Sequence, residues 1–136
     1  MNVENLPQID VLVIVDVEGA VREKNLSDNV YMVDTNRHFG SGREGQAELE
    51  TACKDTQRIV WWCTPIVLTN ELEIVEFTGQ MMEEGVCRPE KGGTKNEPNW
   101  EGVVEARGQT GEVQYSIVMK ANGETMSFDP FLNING

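Results

Sequence analysis

Histidine occurs once, at His38, and basic residues are scarce: 11 Lys and Arg stand against 23 Asp and Glu, a formal charge of -12. A single histidine cannot build a His-rich metal cluster. A chain this acidic suits nucleic acid poorly, because phosphate binding rests on Lys and Arg displacing counterions. It suits an anionic bilayer surface equally poorly. Cysteine is sparse too: Cys53, Cys63 and Cys87 are odd in number and lack Cys-x-x-Cys spacing. Neither a disulfide framework nor a zinc site is expected, and the reading is of reduced thiols in a cytoplasmic protein. The apolar run Val11–Val15 is too short to span a bilayer, and the first residues lack the basic start of a signal peptide. There is no Gly-x-Ser-x-Gly nucleophile elbow and no Gly-Lys-Ser/Thr of a P-loop. No catalytic residue, metal or cofactor is assigned.

What is present is β-forming sequence. At 136 residues the chain has the length of one domain, 1–136, large enough for a core without staples. Ile9–Val17 is rich in β-branched residues and apolar on both faces in its middle, which predicts a central strand covered on both sides. Asp16 and Glu18 then fall on one face near its end, roughly 6.6 Å apart along a strand. Gly19–Ser27 reads as a polar connection and Asp28–Asp34 as a second strand, with Val30 and Met32 opposite Tyr31 and Val33. Gln46–Asp55 fits either a short helix, with Leu49 and Ala52 or Cys53 on one side, or a turn.

Gln57–Ile66 is the most aromatic strand. Alternation places Ile59, Trp61 and Cys63 on one face and Val60, Trp62 and Thr64 on the other. One tryptophan therefore fills the core, and the other covers a second layer, a subunit interface or a sugar-like ligand. Leu72–Gly79 follows, with Val75 and Phe77 on one face and Leu72 and Ile74 on the other; Gln80–Val86 reads as a turn. Arg88–Asn99 reads as a surface loop, and Trp100–Arg107 as a strand. Glu112–Ala121 alternates Val113, Tyr115, Ile117 and Met119 against Glu112, Gln114, Ser116 and Val118. Asn122-Gly123 supplies a type I′ turn that pairs Met119 with Met126 and Ile117 with Phe128. Asp129-Pro130 breaks the strand before Phe131, Leu132 and Ile134. Seven or eight short strands with at most one short helix predict an antiparallel β-sandwich.

The segment Asp34–Gly45 concentrates the unusual residues. Gly40-x-Gly42-x-x-Gly45 matches the dinucleotide fingerprint in letters, but five residues separate the strand from its first glycine and the chain does not alternate β and α. Asp34, Asn36 and His38 alternate oxygen and nitrogen donors without the glycine and glutamate of an EF-hand loop. The candidate ligand-binding residues are Asp34, Asn36, Arg37, His38, Trp61 and Trp62.

Eight segments in order, among them Asn29–Asp34 (Asn-Val-Tyr-Met-Val-Asp), Val60–Ile66 (Val-Trp-Trp-Cys-Thr-Pro-Ile), Trp100–Val104 and Ser127–Phe131 (Ser-Phe-Asp-Pro-Phe), resemble the bacterial PixA/AidA inclusion-body protein family over nearly the whole chain. The resemblance implies a small accessory protein under quorum-sensing or stationary-phase control and associated with host interaction. It also implies that some relatives accumulate as cytoplasmic crystalline inclusions. It brings no catalytic residues. The namesake is methionine-rich, whereas this chain has six methionines, Met1 included. The expectation is a non-enzymatic homo-oligomeric interaction module, with carbohydrate as a ligand class. The alternatives are a self-assembling inclusion protein and, third, an enzyme using Asp16, Glu18 or His38.

Overall fold

The computed structural model describes residues 6–36, 41–43 and 45–136. Arg37, His38 and Gly40 lie outside the described residues. The central sheet has five strands in the order β2-β1-β4-β7-β6. These are β1 (Ile9–Val15), β2 (Val30–Asp34), β4 (Arg58–Pro65), β6 (Glu90–Gly93) and β7 (Pro98–Val103). A second sheet, β10-β9-β5, is built from β5 (Leu72–Thr78), β9 (Ser116–Ala121) and β10 (Glu124–Phe128). A third, β3-β11-β8, comprises β3 (Glu50–Lys54), β8 (Gly111–Gln114) and β11 (Phe131–Asn135). Helix α1 (Val17–Glu23), a 3-10 turn at Ser27–Asn29 and a one-turn helix α2 (Gln80–Glu83) complete the elements.

The mainly β expectation holds, but an antiparallel sandwich of seven or eight strands does not. Among the described residues there are eleven strands, and two of the pairings, β1 with β4 and β3 with β11, are parallel. The sheets are therefore mixed. One hydrophobic core draws on all three, from Val11, Val13 and Trp61 to Phe77, Ile117, Leu132 and Ile134.

β1 has the expected central position, yet among the described residues only one side is fully covered. Ile9, Val11, Val13 and Val15 are buried, while Leu12 and Ile14 on the opposite face stay partly open. The strand also ends earlier than expected. Asp16 leaves the β conformation and its carboxylate accepts the Gly19 N–H at 3.1 Å, capping α1. That bond satisfies one of the free donors at a helix start. Asp16 and Glu18 are thus a helix cap and an exposed first-turn residue, not a carboxylate pair along a strand. The supposed polar connection is this helix, and its small residues Gly19 and Ala20 are its buried side.

Gln46–Asp55 holds a turn and then β3, not a helix. Thr51, Ala52 and Cys53 are all buried in succession, a strand covered on both faces. In β5, a bulge between Ile74 and Glu76 makes Val75 the extra residue. The bulge puts Ile74 and Phe77 together in the core and leaves Val75 exposed, reversing the expected faces beyond it. The expected loop Arg88–Asn99 contains β6, which pairs with β7 around a turn closed by Thr94 and Glu97. Glu112–Ala121 divides at Tyr115: β8 joins β11 in one sheet and β9 joins β5 and β10 in another. The inward alternation of Val113, Tyr115, Ile117 and Met119 survives the break. The Asn122-Gly123 turn sets the expected register, with Met119 opposite Met126 and Ile117 opposite Phe128. Both turn residues have positive φ, as a type I′ turn requires.

Candidate functional site

An aromatic cluster forms where the central sheet meets β5 and β9. Trp61 on β4 sits directly across from Trp100 on β7. Phe77 packs on both, with ring centroids 4.9 Å from Trp61 and 5.5 Å from Trp100. Tyr115 closes the inner side, its hydroxyl accepting the Trp61 indole N–H at 3.1 Å. Burial pushes the Tyr115 phenol pKa up, against the lowering effect of that bond. Trp61 is fully buried, so its polar edge needs this internal partner.

Beyond the cluster the sheets part and leave a cleft of about 410 Å³. Its base is Trp61, Trp100 and Cys63; one wall is Leu72–Ile74 on β5; the other is the β6–β7 hairpin with Lys91, Thr94 and Lys95. The volume lies in the range of small-ligand sites, as does the mix of aromatic surface with a few polar groups. Trp100 is only part-buried, and its indole N–H makes no hydrogen bond among the described residues. The other two tryptophan N–H groups are taken, by Tyr115 and by Asp10. Lys91 lies across from Trp100 on the neighbouring strand, and Glu73 faces the cleft from β5. Asn99 borders the cleft with its amide oxygen against Gly92, shielded and without a hydrogen-bond partner among the described residues. A Cβ at Gly92 would come within 3.0 Å of that oxygen. Glycine there leaves the space.

The cleft does not offer a reactive thiol. Burial pushes the Cys63 pKa up to about 11; a backbone hydrogen bond from Ile74 lowers it and Glu73 raises it further. Cys53 and Cys87 are pushed up to about 12, first by burial. A thiol so shifted is almost wholly protonated at neutral pH and is a poor nucleophile. All three are free.

The candidate residues read from the sequence fall in different places. Trp61 is in the cleft. Trp62 points to the opposite face, where its indole N–H donates to Asp10 at 3.1 Å. Asp34 and Asn36 form a turn: Asp34 accepts the Asn36 backbone N–H at 2.9 Å. The Asn36 side chain is buried and donates to the carbonyl of Ala52 on β3. Ser41 accepts the Ala52 N–H at 2.9 Å, and Gly42 bridges Glu50. This stretch therefore fastens β2 to β3, and no helix follows its glycines, as a dinucleotide site would need. Asn36 lines a separate cavity of about 310 Å³ with Cys53 and Gln57. Arg37 and His38 lie outside the described residues. Trp100, Lys91 and the hairpin turn were not singled out from the sequence. The only signal was a second tryptophan strand, and nothing in the letters says that it pairs with the first.

No group of three or more His, Cys, Asp or Glu that could hold a metal occurs among the described residues. No helix among them is long and apolar enough to cross a membrane.

Comparison with known proteins gives two findings. A family described as a domain of unknown function, DUF8788, matches residues 7–127. The crystal structure of an inclusion body protein (PixA) from Burkholderia cenocepacia J2315 superposes with a TM-score of 0.70. That match covers 100% of this chain and 99% of the other at 13% identity, and so concerns the fold. Among curated proteins no sequence match is found.

Proposed function

The chain belongs to the DUF8788 family, and we propose that it is a non-enzymatic binding module whose cleft takes a neutral sugar ring against Trp100. The observation that carries the reading is the state of Trp100: a part-buried indole with its N–H uncommitted among the described residues, forming the base of a 410 Å³ cleft. A pyranose ring has an apolar face suited to an indole and hydroxyls suited to a polar rim such as Lys91, Thr94, Lys95 and Glu73. The rim carries both signs, which favours a neutral ligand over a charged one. The protonated thiols and the capping role of Asp16 support binding over catalysis. From the PixA/AidA resemblance the proposal takes a place in bacterial host association under quorum-sensing control.

Isothermal titration of the full chain against a panel of neutral mono- and disaccharides tests this. At least one should bind, and Trp100→Ala should weaken it tenfold or more, whereas Trp62→Phe should leave it unchanged. A panel that shows no binding, or a Trp100→Ala variant that binds as well as the parent, refutes the proposal.

A second reading, a self-assembling inclusion protein, is favoured by the PixA-type fold. Against a sulfur-storage version stands the use of methionine: Met32, Met81 and Met119 are buried core residues. Imaging of overproducing cells separates the two, since a protein that stays diffuse at high level is not an inclusion former.

A further inference from the structure

The cleft continues past the wall formed by β5. That strand lies at the outside of its sheet, and its open edge carries Leu72, Glu73 and Ile74 into the cleft wall. Alternation puts Leu72 and Ile74 toward the core and Glu73, exposed, on the far side. A second cavity, of about 420 Å³, is lined by Asn70, Glu71, Leu72, Glu73, Lys120 and Gly123. Leu72 and Glu73 border both cavities, so the two meet over the edge of β5. Each volume lies within the range of small-ligand sites. Their linings differ in kind: the cleft has an aromatic base, and the second cavity is lined mainly by polar groups. Glu73 and Lys120 stand directly opposite each other on β5 and β9, yet form no ion pair among the described residues. Asn122 fixes the loop before β5. Its Oδ1 accepts the Glu71 N–H at 2.9 Å, and its Nδ2 donates to Asn70 Oδ1 at 3.2 Å. The Asn70 amide nitrogen has no acceptor among the described residues.

We propose that this second cavity is a subsite for a further sugar ring, so that the ligand class is a neutral oligosaccharide and not a single sugar. The proposal rests on the cleft taking a sugar ring against Trp100. From there the saccharide crosses Leu72 at the edge of β5, and its next ring lies over Glu73 and Lys120. Side chains opposite each other on neighbouring strands have Cβ atoms roughly 5 Å apart. A carboxylate and an ammonium so placed can share two adjacent hydroxyls, one donating to Glu73 and the other accepting from Lys120. The Asn70 amide adds a donor on a loop already held in place by Asn122. A ring carries hydroxyls around its whole rim, so it suits a polar subsite as well as an aromatic one. The other end of the cleft is a poorer exit. It shares Lys91 and Gly92 with a cavity of about 460 Å³, but there Arg58 and Glu101 are already bonded to each other at 3.4 Å.

The test is isothermal titration of the full chain with two neutral series: glucose, cellobiose and cellotriose, and mannose, mannobiose and mannotriose. In at least one series the di- or trisaccharide should bind about tenfold more tightly than the monosaccharide, the effect of one or two net hydrogen bonds. Lys120→Met and, independently, Asn70→Ala should remove that gain and leave monosaccharide affinity unchanged, with unchanged circular dichroism. Trp100→Ala should weaken every member of the series. A monosaccharide that binds as tightly as its longer homologues overturns the subsite and leaves the cleft proposal standing. So does a gain that both folded variants retain. A gain lost instead in Arg88→Ala places the second ring beyond β6 and also overturns the proposal. Two series that show no binding at all overturn the subsite together with the sugar-binding cleft on which it rests.

Discussion

At the scale of single residues, the three tryptophans divide the molecule's tasks. Adjacent Trp61 and Trp62 must face opposite ways, and that much was legible from strand alternation alone. Which one entered the core was not legible, because it depends on β5 and β9 arriving over one face. The same is true of Tyr115, whose hydroxyl is the acceptor for Trp61. Tyr115→Phe keeps the ring and strands a buried indole N–H, so urea unfolding should show a loss of about 1–3 kcal/mol. A loss near zero would mean that another acceptor replaces the phenol. Asn36 shows how a candidate site residue can turn out to be structural. Its side chain spans from the end of β2 to the backbone of β3, and sequence offered no sign of that partner.

At the scale of elements, what could be read was what is local. The β9–β10 hairpin followed from Asn122-Gly123 and the flanking alternation, two signals within one short segment that agree on register. Gly123 has φ of 86°, so Gly123→Ala should cost about 1 kcal/mol in thermal or urea unfolding. A neutral effect would show that the turn relaxes to another type. Helix α1 was missed because its run Val-Glu-Gly-Ala-Val has a glycine in the first turn and continues an apolar strand without a break. The readable clue was Asp16 ahead of Glu18, a cap followed by an acid suited to the helix dipole. Asp16→Ala should therefore lower stability by about 1 kcal/mol. An enzyme using Asp16 would lose turnover as well, which the binding reading does not expect. β6 reads as loop in the sequence because Glu-Lys-Gly-Gly has no apolar residue; its strand character comes from pairing with β7. The β5 bulge shifted two faces by one residue, a change that alternation cannot register because it assumes an unbroken pleat.

At the scale of the whole molecule, the mainly β class was legible and the sheet arrangement was not. Parallel pairing of β1 with β4 and of β3 with β11 joins segments far apart in sequence, where no turn signal connects them. The core that results holds Cys53, Cys87 and Tyr115, and beside it the part-buried Cys63, in their neutral forms. Their folded pKa values are raised above the unfolded ones, so the unfolded chain releases protons first as pH rises. The stability they contribute is complete below the unfolded thiol value of 9.0 and is lost on passing through about 11 to 12. The melting temperature should fall steeply over that window, and a flat profile to pH 11 would contradict the buried assignment.

Sugar binding in the cleft beside Trp100 can be observed at the indole itself. The most direct measurement is a nitrogen–proton correlation spectrum of the full chain titrated with the best-binding neutral saccharide, read at the three indole N–H signals. A saturable shift of the Trp100 indole is expected, with smaller shifts at Gly92, Thr94 and Lys95, and an unmoved Trp62 signal. A titration that leaves Trp100 in place, or that moves Trp62 instead, would contradict it.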